Sequence, residues 1–162
     1  MFLVNDTIQQ RRTRIRSFLK SDQVVAVLLA AADFEWTVRR AIIALSRAPN
    51  KVVRNRLAKC HGLKGYKSLW DELIKPYYEK GLHQIIPKWD RLNGVSYPLR
   101  DLIIHGIKPS TGKNYARLQV ERILAASHAI VGFTSQNGYA IYGKRLPVKR
   151  KQLSDSEGHR PK

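Results

Sequence analysis

Ser21-Asp22-Gln23-Val24-Val25-Ala26-Val27-Leu28-Leu29-Ala30-Ala31-Ala32 places a helix-capping pair in front of nine consecutive apolar residues, Val24 to Ala32. A serine or aspartate before such a run offers the side-chain oxygen that the first backbone N–H groups of a helix lack. Apolar side chains all round a helix mean burial on every side, so this segment reads as the central helix of a bundle. Nine residues is half of the roughly 18 needed to cross a membrane, and no longer run exists, so no membrane span is expected. Further on, Asp33, Glu35, Thr37, Arg39 and Arg40 alternate with Phe34, Trp36, Val38, Ile42 and Ile43. Pro49 then stops the helix at about Arg47.

Working outward, most of the chain shows helical spacing and little shows strand alternation. Residues 8–19 form a basic segment carrying Arg11, Arg12, Arg14 and Arg16. Asn50 to Cys60 reads as a short basic helix ended by His61-Gly62, and Tyr66 to Glu79 as an aromatic-rich one weakened by Pro76. Leu82 to Leu92 is bent at Pro87. Asn93-Gly94 breaks the chain, Ser96 caps, and Pro98 sits in the first turn of the next helix. A last long helix runs from about Tyr115 to Ser135 on a stripe of Leu118, Ile123, Leu124, Ala125, Ile130, Val131 and Phe133. At 162 residues one domain is expected. The fold class is all-α, a four- to five-helix bundle with a flexible basic C-terminal tail. The divisions are a basic N-terminal segment at 1–20, a helical domain at 21–140 and the tail at 141–162. Residues 144–162 hold seven Lys and Arg against two acids, with Pro147 and Pro161.

Thirty Lys and Arg against twelve acids give a net charge of +18. That exceeds what solubility needs and points to a polyanion, nucleic acid first, with an acidic protein partner as the competing explanation. Cys60 is the only cysteine, so no internal disulfide or cysteine-based zinc site is expected, and the thiol reads as a small packing residue. The N-terminal apolar run is too short for a signal peptide. A cytoplasmic protein without metal or cofactor is the expectation.

The chemistry concentrates in Arg100-Asp101-Leu102-Ile103-Ile104-His105-Gly106. Asp101 and His105, four apart, share a helix face. Gly106 is the residue type that ends helices in a left-handed turn, which exposes His105. Five residues rotate an ideal helix by about 140°, so Arg100 and His105 do not share a face, and a joint site needs a second chain or a distorted last turn. A purely structural reading stands beside this one: His105 as a C-terminal dipole partner and Asp101 as a first-turn acid paired with Arg100.

An Arg, a polar residue and a His five positions after the Arg, placed in an all-helical basic chain before a loop and a last long helix, resembles the HEPN superfamily. Its ribonuclease branch carries an Arg-x4-6-His motif. The resemblance covers roughly residues 22–135. It implies a metal-independent endoribonuclease acting as a homodimer, with both motifs in one cleft and RNA supplying its own 2′-hydroxyl nucleophile. Arg100 would bind the phosphate, His105 would move protons and Asp101 would orient His105. Glu35 or Asp33 would approach this pair as the acid of an early helix, against the alternative of an intrahelical Glu35–Arg39 pair. For RNA contact the candidates are Lys108, Lys113 and Arg117, with Tyr115 and Tyr97 to stack a base, and Arg11–Arg16 and Lys144–Lys151 extending the footprint. His128 reads as a packed histidine, and His61 and His83 carry no pattern. A toxin or defence effector is the implied role, with an antitoxin or regulatory protein as a further partner; a non-catalytic RNA-binding or dimerisation module is the alternative.

Overall fold

A computed structural model of the protein describes residues 6–143 and 145–149. Their order is α1 (Ile8–Ser21), α2 (Gln23–Leu45), α3 (Asn50–Ala58), α4 (Gly62–Leu73), α5 (Lys75–Tyr78), α6 (Leu82–Ile85), α7 (Trp89–Arg91), a π-helical turn (Leu92–Ser96), α8 (Tyr97–Ile104) and α9 (Lys113–Gln136). Regular structure among the described residues is all helical, as the spacing predicts. No helix among them is long and apolar enough to cross a membrane.

The helix that opens on Asp22 is central. The Asp22 carboxylate accepts from the Val25 N–H at 3.1 Å, satisfying an orphan donor of the first turn. From there α2 packs against α1, α3, α4, α8 and α9, most extensively against α9. Its alanines, Ala26, Ala30, Ala31, Ala41 and Ala44, are buried; small side chains let neighbouring backbones come close, while Phe34, Val38 and Ile42 fill the space between them. The core face of α9 is Ala116, Val120, Ile123, Leu124, Ala126 and Ile130. Leu118 and Ala125, expected on the apolar stripe, are exposed, because steps of three and four from Ala116 pass them by.

The divisions expected at residues 20 and 140 dissolve into one core. Ile15 and Leu19 of α1 are buried, and Arg11, read as part of an RNA footprint, is itself only 2% exposed. Its guanidinium donates to Asp33 of α2 at 2.5 Å and lies 4.2 Å over the Trp36 ring, with Arg40 over the same ring at 4.6 Å. Tyr142, beyond the expected boundary, exchanges a 2.7 Å hydrogen bond with Thr37, and Arg40 donates to the Ile141 carbonyl. Within the stretch read as flexible tail, the Lys149 ammonium caps the carbonyls of Ala44 and Ser46 at the end of α2. Asn50 meanwhile holds the carbonyls of Pro147 and Lys149. A cation at a helix C-terminus is favourable on dipole grounds, which is the physical reason Lys149 settles there. Residues 150–162 of the expected tail, and Lys144, lie outside the described residues.

Burial pushes the Asp33 carboxyl up despite the pull of Arg11, so desolvation dominates this pair. Asp33→Leu, which takes its carboxylate away from the buried Arg11, is expected to lower stability by about 3–5 kcal/mol in urea unfolding, whereas Arg11→Met with Asp33→Leu should recover most of that loss. Lys149→Ala, which removes a partly buried dipole partner, should lower it by about 1–2 kcal/mol, read in the same assay.

Candidate functional site

The segment before α8 does not break as Asn93-Gly94 suggests. The helical path runs from Trp89 through a π-helical turn into α8, and Ser96 has helical backbone angles rather than those of a cap. Its buried hydroxyl donates instead to Gln119 of α9 at 2.7 Å, so a tertiary partner displaced the capping role. Pro98 falls within the first turn, where its missing N–H is harmless. This turn sets the rotation of α8, so that Leu99 and Ile103 enter the core and Tyr97 and Arg100, three apart, turn together toward α2.

There both meet Glu35. The Arg100 Nη2 donates to Glu35 Oε1 at 3.0 Å and the Tyr97 hydroxyl donates to the same oxygen. Glu35 Oε2 accepts from the Tyr66 hydroxyl of α4 at 3.4 Å, and Tyr66 accepts from Arg39 at 3.0 Å. Arg39 spends another donor on the Leu57 carbonyl. The intrahelical Glu35–Arg39 pairing is thus replaced by a hub joining α2, α4 and α8, and Glu35 reaches Arg100 as the early-helix acid was expected to. Asp33, the other candidate acid, points to Arg11.

Asp101 takes the second of the two roles open to it, as a partner of Arg100. Its carboxylate accepts from Arg100 Nη1 at 2.7 Å, so Arg100 lies between two acids. Burial opposes its charge, but Asp101 and Glu35 outweigh burial and hold the guanidinium more firmly protonated than usual. Burial and the Glu35 bond push the Tyr97 hydroxyl well up, fixing it as a neutral donor. Tyr97 is buried against Phe34, ring centroids 6.1 Å apart, and so has no face free to stack a base.

His105 stands where Gly106 was expected to leave it. Gly106 has φ +68, Ile107 N–H bonds to the Leu102 carbonyl at 2.9 Å and Gly106 N–H to that of Ile103 at 3.0 Å, a Schellman end. The imidazole is exposed and makes no side-chain hydrogen bond among the described residues, Asp101 included. The His105 N–H still closes the last turn on the Asp101 carbonyl at 3.0 Å, but no hydrogen bond joins the two side chains.

Among the described residues the exposed large hydrophobic side chains include Leu102, Ile104 and Ile107 at this end, and Tyr115 and Leu118 in the first turns of α9, with Ile107 70% exposed. Lys108 lies 4.9 Å over the exposed Tyr115 ring, while Lys113 and Arg117 are exposed on the first turns of α9. Of the N-terminal arginines, Arg12 donates to the Leu124 carbonyl, Arg14 to Asp6 and Arg16 to Glu121 through both nitrogens.

Two further features had little sequence signal. Tyr66 and Tyr97 complete the Glu35 hub, and only the three-residue offset of Tyr97 from Arg100 hinted at either. His61 and Lys64, at the start of α4, line a cleft of about 240 Å³ with Asn93, Tyr97, Pro98 and Asp101. His128 is exposed rather than packed, beside a second depression with Lys80 and Gln84. Cys60 is half-buried against the core, as expected of a packing residue. Among the described residues no three His, Cys, Asp or Glu side chains converge as a metal-binding group. No protein-family model matches the chain, and neither a curated protein nor a solved structure matches it.

Because Glu35 anchors two donors of α8, its truncation and that of Tyr97 should be coupled. Tyr97→Phe is expected to lower stability by about 1 kcal/mol and Glu35→Ala by about 1–3 kcal/mol. In urea unfolding the double variant should fall short of their sum by at least about 0.5 kcal/mol.

Proposed function

We propose that the protein is an endoribonuclease that cuts RNA by attack of the substrate's own 2′-hydroxyl, without a metal, and that it works as a homodimer. The observation that carries this reading is the pairing of a pre-oriented guanidinium with an exposed imidazole on one short helix. Arg100 is steered by Glu35 from another helix, and His105 is presented at a glycine-terminated end. The resemblance of Arg100, Asp101 and His105 to the HEPN ribonuclease motif supports the same chemistry.

In this mechanism the 2′-oxygen bonds to phosphorus and the bond from phosphorus to the 5′-oxygen breaks. His105 takes the 2′-hydroxyl proton or delivers one to the departing 5′-oxygen, and Arg100 neutralises the charge that builds on the phosphoryl oxygens. The products are a 2′,3′-cyclic phosphate and a 5′-hydroxyl. Since Arg100 and His105 lie on different sides of α8, the second imidazole comes from a second copy. The exposed hydrophobic side chains at the end of α8, Leu102, Ile104 and Ile107, are what that copy covers, because large apolar side chains left in water favour an interface. Lys108, Lys113, Arg117 and Tyr115 then rim the joint cleft and hold the RNA backbone and a base. A cytoplasmic toxin or defence effector restrained by an antitoxin or other regulatory protein fits such an activity.

One observation favours the non-catalytic alternative, an RNA-binding or dimerisation module: Asp101 sits on Arg100 and not on His105. Orientation of His105 by Asp101 requires that contact to break. The two readings separate in RNA incubated with the full chain in EDTA. Arg100→Ala and His105→Ala should each slow cleavage by at least about a hundredfold. The two variants mixed should recover part of the activity through composite dimers. Absence of cleavage by the wild type, with RNA binding that falls steeply with salt and ignores His105→Ala, would establish the binding module instead.

A further inference from the structure

The cleft between the start of α4 and the α7–α8 segment is not used by the mechanism above, although Asp101 forms part of its wall. His61 and Lys64 bring two cationic or cation-forming side chains to it and Asn93 brings an amide. Arg100 lies directly behind two of its lining residues, bonded to Asp101 at 2.7 Å and stacked 5.6 Å from the Tyr97 ring centre. The two carboxylates on Arg100 are held very differently. Glu35 is 24% exposed and carries hydrogen bonds from two tyrosines, whereas Asp101 is 50% exposed and has Arg100 as its one hydrogen-bond partner among the described residues. Glu35 is a fixture; Asp101 is an exchangeable anion. Exposed ion pairs of its kind are weak, and a guanidinium N–H donates to a phosphoryl oxygen as readily as to a carboxylate.

We propose that this cleft is a phosphoryl-binding site for the RNA strand, that Asp101 occupies the phosphate's place on Arg100 when the site is empty, and that His61 and Lys64 are additional ligands of the incoming phosphate. Binding swaps one anion for another on Arg100 Nη1 and leaves the Glu35 bond intact. Its volume suits a phosphate with part of its sugar, being below the ~300–1,000 Å³ of pockets that enclose a whole ligand. Asp101 thereby sets a threshold. A chloride ion gains little by displacing it, while a phosphoryl group held at the same time by His61 and Lys64 does displace it, and a strand does so best.

The inference rests on the reading of Arg100 as a phosphate ligand, and a non-cleavable probe separates the two. Binding of a fluorescent 2′-O-methyl RNA tetranucleotide to the full chain at fixed low salt is measured by anisotropy. His61→Gln and Lys64→Ala should each weaken it about two- to fivefold, and Lys20→Ala, on the outer side of α1, should change it little. Asp101→Asn should tighten it about two- to fivefold, and that gain should vanish in an Arg100→Ala background. Inorganic phosphate should compete with the probe better than chloride at equal ionic strength. Tightening by Asp101→Asn that persists without Arg100 would reflect net charge alone and overturn the proposal. So would equal effects of Lys64→Ala and Lys20→Ala, or competition no stronger than that of chloride. If the pattern holds while unmodified RNA is not cut, the phosphoryl site stands and the nuclease reading falls; if RNA is cut through Arg100 and His105 but the pattern fails, the reverse is true.

Discussion

A single carboxylate in the middle of the central helix organises this end of the molecule. Glu35 accepts from Arg100 and Tyr97 of α8 and from Tyr66 of α4, and through Tyr66 it reaches Arg39 and the end of α3. A carboxylate this enclosed is tolerable only because several donors converge on it, and those donors can converge only if three helices keep their relative rotation. The hub therefore locks the orientation of α8 more firmly than apolar packing of an eight-residue helix could. The position of Arg100 is a consequence.

The opposite side of α2 uses the same device for a structural purpose. Arg11 and Asp33 are both nearly inaccessible, and the pair is enclosed by Trp36, Thr37 and Tyr142. Asp33 and Glu35 are two residues apart and so face different ways on the helix. One ties α1 and the C-terminal strap to the core, and the other ties α4 and α8. A chain with an excess of eighteen positive charges has thus set Asp33, buried, and Glu35, partly so, where cationic side chains from other elements meet. Arg11 of α1 is taken inside this way.

The exchangeable character of Asp101 links the fold to its proposed chemistry. The same Arg100 that the hub positions is capped on its outer side by a half-exposed acid. An anion arriving from solvent meets an oriented guanidinium whose present partner is held by one weak bond. In the proposed reading the exposed hydrophobic side chains at the end of α8 would meet a second copy, so that one eight-residue helix would face core, ligand and partner at once.

The all-helical class, the cap at Asp22, the central burial of α2, the left-handed end at Gly106 and the exposure of His105 were all legible in the amino-acid sequence. Each follows from local rules: an apolar run without a polar face, a capping oxygen, a residue that tolerates positive φ. The encounter of Glu35 with Arg100 was legible only as one of two options, because a helix neighbour four residues away and a partner sixty-five residues away look equally good in a linear chain. Tertiary structure alone decided that Ser96 bonds Gln119 instead of capping, that Tyr97 is buried, that Arg11 is internal, that Leu118 faces outward and that the chain through Lys149 straps back onto α2. In each case a polar or long side chain had a local role open to it and found a stronger partner on another helix, and that competition is settled by three-dimensional packing rather than by spacing.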